Sequence, residues 1–443
     1  MKNKFIRAVE DKFYFEGKEV RLRGLGIGTW FNLEHFMFGF PTPDSMIRQG
    51  FSDCLGREQG DRFFKEYENN FMAEEDFAFL KQCGVNFIRV PFRYSLFLDD
   101  QNPEVLREEG FACFDRLFRL AGKYQIFVMP DLHTVPGSQN PDWHSDNSMG
   151  KPLFWKYEVF RKQMVSLWGN LAERYAEETW LMGYDLLNEP AMADWEALNS
   201  FYEETIRSIR QKDKNHLIVL EGDQFSMDFS QLKHFEDPQL ALGFHYYPTV
   251  WHPELLTEQY SREERKQAIG DGFDRLYAIR EQFHRPVLCG EFGYGRDCGD
   301  AKLTTELLTD TLSIMEERGA SWCLWCYKDA HFMSLVSPKE EGSWMQTVDR
   351  VQKRWDQDKE KEQAQEILDL IAEKWYPEMN RQDRYLLQFR LRAVLYDLQQ
   401  EYVTKAILKS QDQELLMESV NEFCFSCCEI NQDMMEVLTE YLG

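Results

Sequence analysis

Two short segments place a glutamate where an apolar run gives way to turn residues: Leu187-Asn188-Glu189-Pro190 and Cys289-Gly290-Glu291-Phe292-Gly293. Cleavage of a glycosidic bond needs one carboxylic acid to protonate the leaving oxygen and one carboxylate to attack the anomeric carbon or activate water. The pair of glutamates points to that chemistry, and other residues at similar positions could serve it. Arg89 follows Phe87-Ile88, where a buried guanidinium would hold a carboxylate ionised through charge-assisted hydrogen bonds. His133 closes Asp131-Leu132-His133 and is placed to donate to a substrate hydroxyl. The amide of Asn188 would bond the 2-hydroxyl of a sugar as an oxocarbenium-like transition state forms. His245 and Tyr247 lie two apart, hence on one face of a strand, with the phenol turned to the second carboxylate. Trp325 would be the floor on which the reacting sugar rests.

These residues need a frame that gathers them. Along the chain, β-rich apolar runs alternate with longer segments of helical periodicity, the order of a parallel sheet with crossover helices. A hairpin over residues 5–20, turning near Glu16-Gly17, would close one end of a barrel. Eight barrel strands are expected at 21–28, 85–91, 126–133, 181–188, 217–222, 241–247, 287–292 and 321–327. Each ends in polar, Gly or Pro residues, and in an eight-stranded (β/α)8 TIM barrel the chemistry sits at those carboxyl ends. Three long connections, 30–70, 134–153 and 249–261, are read as loops that wall a pocket. The expected division is a catalytic barrel over residues 1–350 and a helical subdomain over 351–443. Helical patterns at 366–376, 384–407 and 415–442 are expected to pack on the barrel's flank, with a homo-oligomer contact as the second reading.

Composition narrows the class. The chain has 443 residues, enough for a large core and more than the roughly 250 of a minimal barrel. Its 76 acidic against 51 basic residues give a net charge of −25, which opposes binding to nucleic acid or an anionic membrane. The opening Met1-Lys2-Asn3-Lys4-Phe5 lacks the apolar stretch of a secretory signal, and with ten cysteines this gives the expectation of a cytoplasmic protein with reduced thiols. Cys323/Cys326 and Cys424/Cys427 have Cys-x-x-Cys spacing, but the first pair falls on a strand where its side chains face opposite ways. Neither pair is read as a metal or redox site, and no cofactor is expected because two carboxylates suffice.

The motifs Arg21 to Gly24, Phe87-Ile88-Arg89-Val90-Pro91, Asp131-Leu132-His133, Leu187-Asn188-Glu189-Pro190, His245-Tyr246-Tyr247, Gly290-Glu291-Phe292-Gly293 and Trp325 resemble glycoside hydrolase family 5. That resemblance implies Glu189 as acid/base, Glu291 as nucleophile, and Arg89, His133, Asn188, His245, Tyr247 and Trp325 as the surrounding shell. A finer likeness, in Gly28-Thr29-Trp30 with Leu33-Glu34 and in Pro136 to Asn140 with Asp146-Asn147, is to fungal exo-β-1,3-glucanases and related β-glucosidases. It implies Glu34, Asp146 and Asn147 as contacts to the hydroxyls of a terminal sugar. The chain departs from that pattern by inserting Pro141-Asp142-Trp143-His144-Ser145, and Lys328 or Asp329 beside Trp325 is a further candidate sugar contact.

The expected function is therefore a retaining, exo-acting β-glucosidase or exo-β-glucanase on small glycosides or oligosaccharides. An endo-β-glucanase or mannanase of the same family and a non-catalytic sugar-binding barrel are the alternatives. In the expected mechanism Glu291 is ionised beside Arg89 and Tyr247, and Glu189 is protonated because its setting is drier and more negative.

Overall fold

The computed structural model of the protein describes residues 4–442; Met1 to Asn3 lie outside the described residues. Eight parallel strands close into a barrel in chain order: β1 Arg23–Gly26, β2 Phe87–Arg93, β3 Phe127–Thr134, β4 Gly183–Asp185, β5 Leu217–Glu221, β6 Leu240–His245, β7 Val287–Phe292 and β8 Ser321–Leu324. All eight expected strands are present. β4 and β8 are shorter than expected, because the chain leaves the ladder where Asn188, Glu189 and Trp325 turn into the barrel mouth.

The period-two alternation of strands carries a second pattern along the barrel axis. On β3 the alternate residues Phe127, Met129, Asp131 and His133 run from apolar to ionisable. β2 gives Phe87 then Arg89, and β5 gives Leu217, Val219 then Glu221. The apolar ends meet in one buried cluster that also holds Met182, Ala241, Leu288 and Cys323. Ile6 and Phe13 join that cluster. They come from the strands around Arg7–Val9 and Lys12–Phe15, so the expected hairpin plugs the amino-terminal end of the barrel. Burying apolar surface below leaves the polar groups gathered at the carboxyl end, where only a ligand or mutual pairing offsets their desolvation.

Two connections differ from expectation. The stretch 30–70 is largely helical, with helices His35–Phe38, Asp44–Leu55 and Arg57–Phe71. Ile47, Phe51, Phe63, Phe64, Tyr67 and Phe71 recur at helical spacing and bury one face against the core, a period hidden among the charged residues between them. The last helical stretch, 415–442, is interrupted. Helix Gln413–Glu418 is followed by tight turns and by the strand Cys428–Ile430, which pairs antiparallel with Val336–Pro338 before helix Gln432–Leu442. Glu422 lies in the interruption, where its carboxylate accepts from the backbone N–H groups of Ser343 (2.8 Å) and Trp344 (3.0 Å) at the start of helix Ser343–Gln352.

The tail is bound to the barrel along its length. Nζ of Lys328, fully buried, donates to Asp76 (2.6 Å), to the carbonyl of Phe71 (2.7 Å) and to that of Phe423 (2.9 Å). Asp329 accepts from Phe332 N, Met333 N and Ser334 Oγ. Both side chains thus hold the frame, and neither is turned to a sugar. The expected flank position is only part of the tail's placement, since helix Arg381–Gln399 sends Tyr385, Gln388, Phe389 and Arg392 to the mouth of the barrel.

Candidate active site

Arg89 is the hub. Its side chain is fully buried, with Nη1 donating to Glu291 Oε1 at 2.5 Å, Nε to Asp185 at 2.9 Å, and Nη2 to Asn188 Oδ1 at 2.8 Å and Glu221 Oε1 at 3.1 Å. Asp131 lies 3.2 Å from Nη2. One cation therefore orients residues from four other strands or strand ends, which a lysine ammonium with no planar fork would not do. The other oxygen of Glu291 accepts from the Tyr247 hydroxyl at 2.9 Å. A register shift between Cys289 and Phe292 re-aims Glu291 on β7. Gly290 beside it leaves His245 room, because a Cβ there would stand 3.1 Å from Nε2 of His245 and press on it.

Glu189 sits in a strained conformation, with φ at 47°. Left-handed backbone at a non-glycine residue costs free energy and persists where neighbours over-determine it. Here the Glu189 N–H donates to Glu221 Oε2 (2.7 Å) and its carbonyl accepts from Asn140 Nδ2 (3.0 Å). The carboxyl meets His245 Nδ1 at 2.7 Å and His144 Nε2 at 3.0 Å. One oxygen of each catalytic candidate and a ring nitrogen of His245 all lie within 4.8 Å of one another. That trio would also suit a divalent cation by distance, but its atoms already bond Arg89, Tyr247 and His144.

Both carboxyls open on a cavity of about 560 Å³, lined also by Glu34, His133, Asn188, His245, Tyr247 and Trp325. Trp325 lies parallel to His133, ring centres 5.9 Å apart. The indole fits because β1 and its extension carry glycine: a Cβ on Gly26 would stand 2.3 Å from Trp325 Cε3, and one on Gly28 would stand 2.6 Å from Cζ2. Nδ1 of His133 is 2.6 Å from Asp131, and its Nε2 is 3.6 Å from Glu34 and 3.5 Å from Asn188 Nδ2.

Asp146 and Asn147 are not brought to this cavity. Asp146 accepts from the backbone N–H (2.9 Å) and hydroxyl (2.8 Å) of Ser45, while Asn147 donates to the carbonyl of Asn140 (2.7 Å) and accepts from Met149 N (3.0 Å). Both fold the 134–153 connection instead of facing a ligand. The inserted segment does reach the site, through His144, which no motif singled out. Asp185 and Glu221 were missed as well, although each ends a strand in a carboxylate, the signal that identified the glutamates.

The electrostatics run against both protonation expectations, since Glu189 is lowered and Glu291 raised. Burial would raise the Glu189 carboxyl, yet hydrogen bonds from His144 and His245 outweigh it and hold Glu189 well below the usual range. For His144, burial acts downward but the bond and charge of Glu189 prevail and push it up to about 9. The proton expected on Glu189 is thus shared with His144 and retained by the pair to about pH 9. Asn140 Nδ2 stands 2.8 Å from His144 Nε2, with its amide oriented by Asp142 N on Oδ1, and it competes with an imidazolium N–H there. Burial lifts Glu291 above the ordinary carboxylate range despite the opposing charges of His245 and Arg89. Burial likewise raises Glu34 and Asp131, and takes Asp185 to about 8.

A bell-shaped profile of kcat/KM follows, with an acid limb above the usual carboxylate range and an alkaline limb near 9. His144→Gln keeps a polar contact but cannot hold the proton. Its alkaline limb is expected to fall by roughly one to two pH units. An unchanged profile would remove His144 from the path of that proton.

The chain is similar to several known proteins. Residues 48–331 match the family model described as cellulase, glycosyl hydrolase family 5. A β-xylosidase of Phanerodontia chrysosporium is 35% identical over 347 residues, 74% of this chain and 72% of the relative. A probable glucan 1,3-β-glucosidase A of Emericella nidulans is 28% identical over 210 residues, 45% of this chain and 51% of the relative. The crystal structure of a hyperthermophilic endo-β-1,4-glucanase in complex with substrate shares the fold at 19% identity and a TM-score of 0.50, over 60% of this chain and 84% of that one. With the family model covering well over half of its length, this chain belongs to glycoside hydrolase family 5.

Proposed function

We propose that this glycoside hydrolase is an exo-acting, retaining β-glycosidase, in the manner of a β-glucosidase or exo-β-glucanase, on small glycosides or oligosaccharides. The observation that carries it is the walling of the cavity around the carboxyl pair. Glu34, His133 and Trp325 stand together beside the pair, and side chains from the 141–145 insert and from helix Arg381–Gln399 line the same cavity. Such walls favour one terminal sugar over a polymer running through. The relative named β-xylosidase supports the same reading.

Glu291 attacks the anomeric carbon while Arg89 and Tyr247 balance its charge, and Glu189 gives the leaving oxygen the proton it shares with His144. In the second half Glu189 takes a proton from the incoming water. One oxygen of each carboxyl lies within 4.8 Å of the other, a close approach that suits direct attack by Glu291 better than a water held between it and the sugar, which favours the covalent route. The glutamine Gln139, bonded through Nε2 to the carbonyls of His133 and Asn188 at 2.8 Å each, ties the two halves of the site together. We further propose a cytoplasmic location, supported by ten cysteines that all stand as free thiols. Digestion of a soluble β-linked oligosaccharide, followed by proton NMR, tests the reading. Single sugars released in succession are expected, and mixed internal fragments would replace the proposal with an endo-acting enzyme.

A further inference from the structure

The cavity extends beyond Glu189, away from Trp325, into a chamber that the catalytic barrel builds only in part. Phe225 begins it: its N–H donates to the carbonyl of Pro190 at 3.0 Å, directly after Glu189, and its ring lies 6.2 Å from that of His144. Around Phe225 stand Trp251 at 6.2 Å, Phe389 at 6.1 Å and Tyr385 at 6.3 Å, ring centre to ring centre. Tyr385 and Phe389 belong to helix Arg381–Gln399 and pack edge to face at 5.0 Å. Arg392 follows on the same face of the helix. It is 6% exposed; its Nε has no hydrogen-bond partner and lies 3.6 Å from Glu360 Oε1, while its Nη1 lies 3.9 Å from Asp142 Oδ1.

The position of this chamber decides which part of a substrate it meets. Glu189 protonates the leaving oxygen, so whatever lies past Glu189 is the leaving group. We propose that the C-terminal helices complete a leaving-group site for an apolar, ring-bearing aglycone. The proposal rests on the exo-glycosidase reading above and names its substrate class. A second sugar fits these walls poorly. A sugar ring stacks on one aromatic face, as on Trp325, but with Phe225, Trp251, Tyr385 and Phe389 grouped together its edge hydroxyls would lose water against rings that offer few hydrogen bonds in return. An aromatic or other apolar ring loses nothing there and gains stacking and edge contacts. Arg392 is a buried donor facing the same cavity, and a hydroxyl or ether oxygen on such a ring would meet its free N–H. The tail is on this account part of the specificity of the enzyme, which explains why its aromatic residues face the barrel mouth.

The test compares benzyl and methyl β-glycosides of one glycone, whose leaving alcohols are of similar acidity, with the β-linked disaccharide of that glycone. The quantity read is the ratio of kcat/KM for the benzyl to that for the methyl glycoside, in the full-length wild type and in Phe389→Ala. The ratio is expected to fall about tenfold in the variant. Phe389→Leu, which keeps apolar volume but removes the ring, should move it in the same direction and serves if the alanine variant does not fold. An unchanged ratio in a folded variant overturns the proposal while leaving the hydrolase reading intact. An equal loss on the disaccharide overturns it in favour of a sugar subsite. Silence of the wild type toward all three glycosides would sink the exo-glycosidase reading and this site with it.

Discussion

Glu291→Ala is expected to lower turnover on aryl β-glycosides by on the order of 10⁴-fold or more, with the fold intact. The side chain removed makes two bonds, to Arg89 and to Tyr247, and both partners keep other anchors: Arg89 retains Asp185, Asn188 and Glu221. The space left beside Arg89 is lined by donors and suits a small anion. Azide should occupy it, attack the anomeric carbon from the nucleophile's face and restore turnover, giving a glycosyl azide of inverted configuration. Glu189 still supplies the proton in this variant, so rescue should extend to substrates with poor leaving groups. Circular dichroism and thermal unfolding check the fold, and product analysis checks the stereochemistry. Activity near that of the wild type would move the nucleophile to another residue.

Arg89→Met should cost the folded state about 3 to 5 kcal/mol, because it leaves buried carboxyls without their cation. Asp131, Asp185, Glu221 and Glu291 all face the guanidinium within 3.2 Å. Burial already raises Asp131, Asp185 and Glu291, and the loss of Arg89 removes a charge that opposes the rise. With their folded pKa above the unfolded value, these groups bind protons in the folded state that the unfolded chain releases. Stability of the variant therefore falls as pH rises through that window, and the deficit narrows toward pH 5. Denaturant unfolding of both proteins at pH 5 and pH 8 measures this. A variant as stable as wild type at pH 8 would mean that His245 and shared protons suffice to balance the cluster. Activity is expected to be lost as well, since Glu291 and Asn188 lose the donor that orients them.

Much of the barrel was legible in the sequence because strand alternation and turn residues are local signals. Arg89, His133, Glu189, His245, Tyr247, Glu291 and Trp325 were legible for the same reason: each stands at or near the end of an apolar run, where a polar residue contributes nothing to the core. Asp146 and Asn147 misled because their motif says nothing of partners far away in the chain. Ser45, a hundred residues distant, claims Asp146, and Asn147 is spent on bonding its own loop. His144 gave no signal, since its importance comes only from a contact 3.0 Å from Glu189 made across the mouth. Helical periodicity in the tail told which faces are apolar, not what they cover, so Tyr385, Phe389 and Arg392 could be read as flank or oligomer contacts. The short strand Cys428–Ile430 was hidden inside a helical pattern because its partner, Val336–Pro338, lies ninety residues earlier.

The central claim is that Glu291 forms a covalent bond to the sugar and that water later displaces it from the opposite face, the one the leaving group left. Its most direct measurement is the anomeric configuration of the first product, followed by proton NMR from the first minutes of digestion, before mutarotation mixes the anomers. The account predicts the β anomer at the outset, with the α signal growing only at the rate of mutarotation. An initial α anomer would contradict it and make Glu291 a base that activates water.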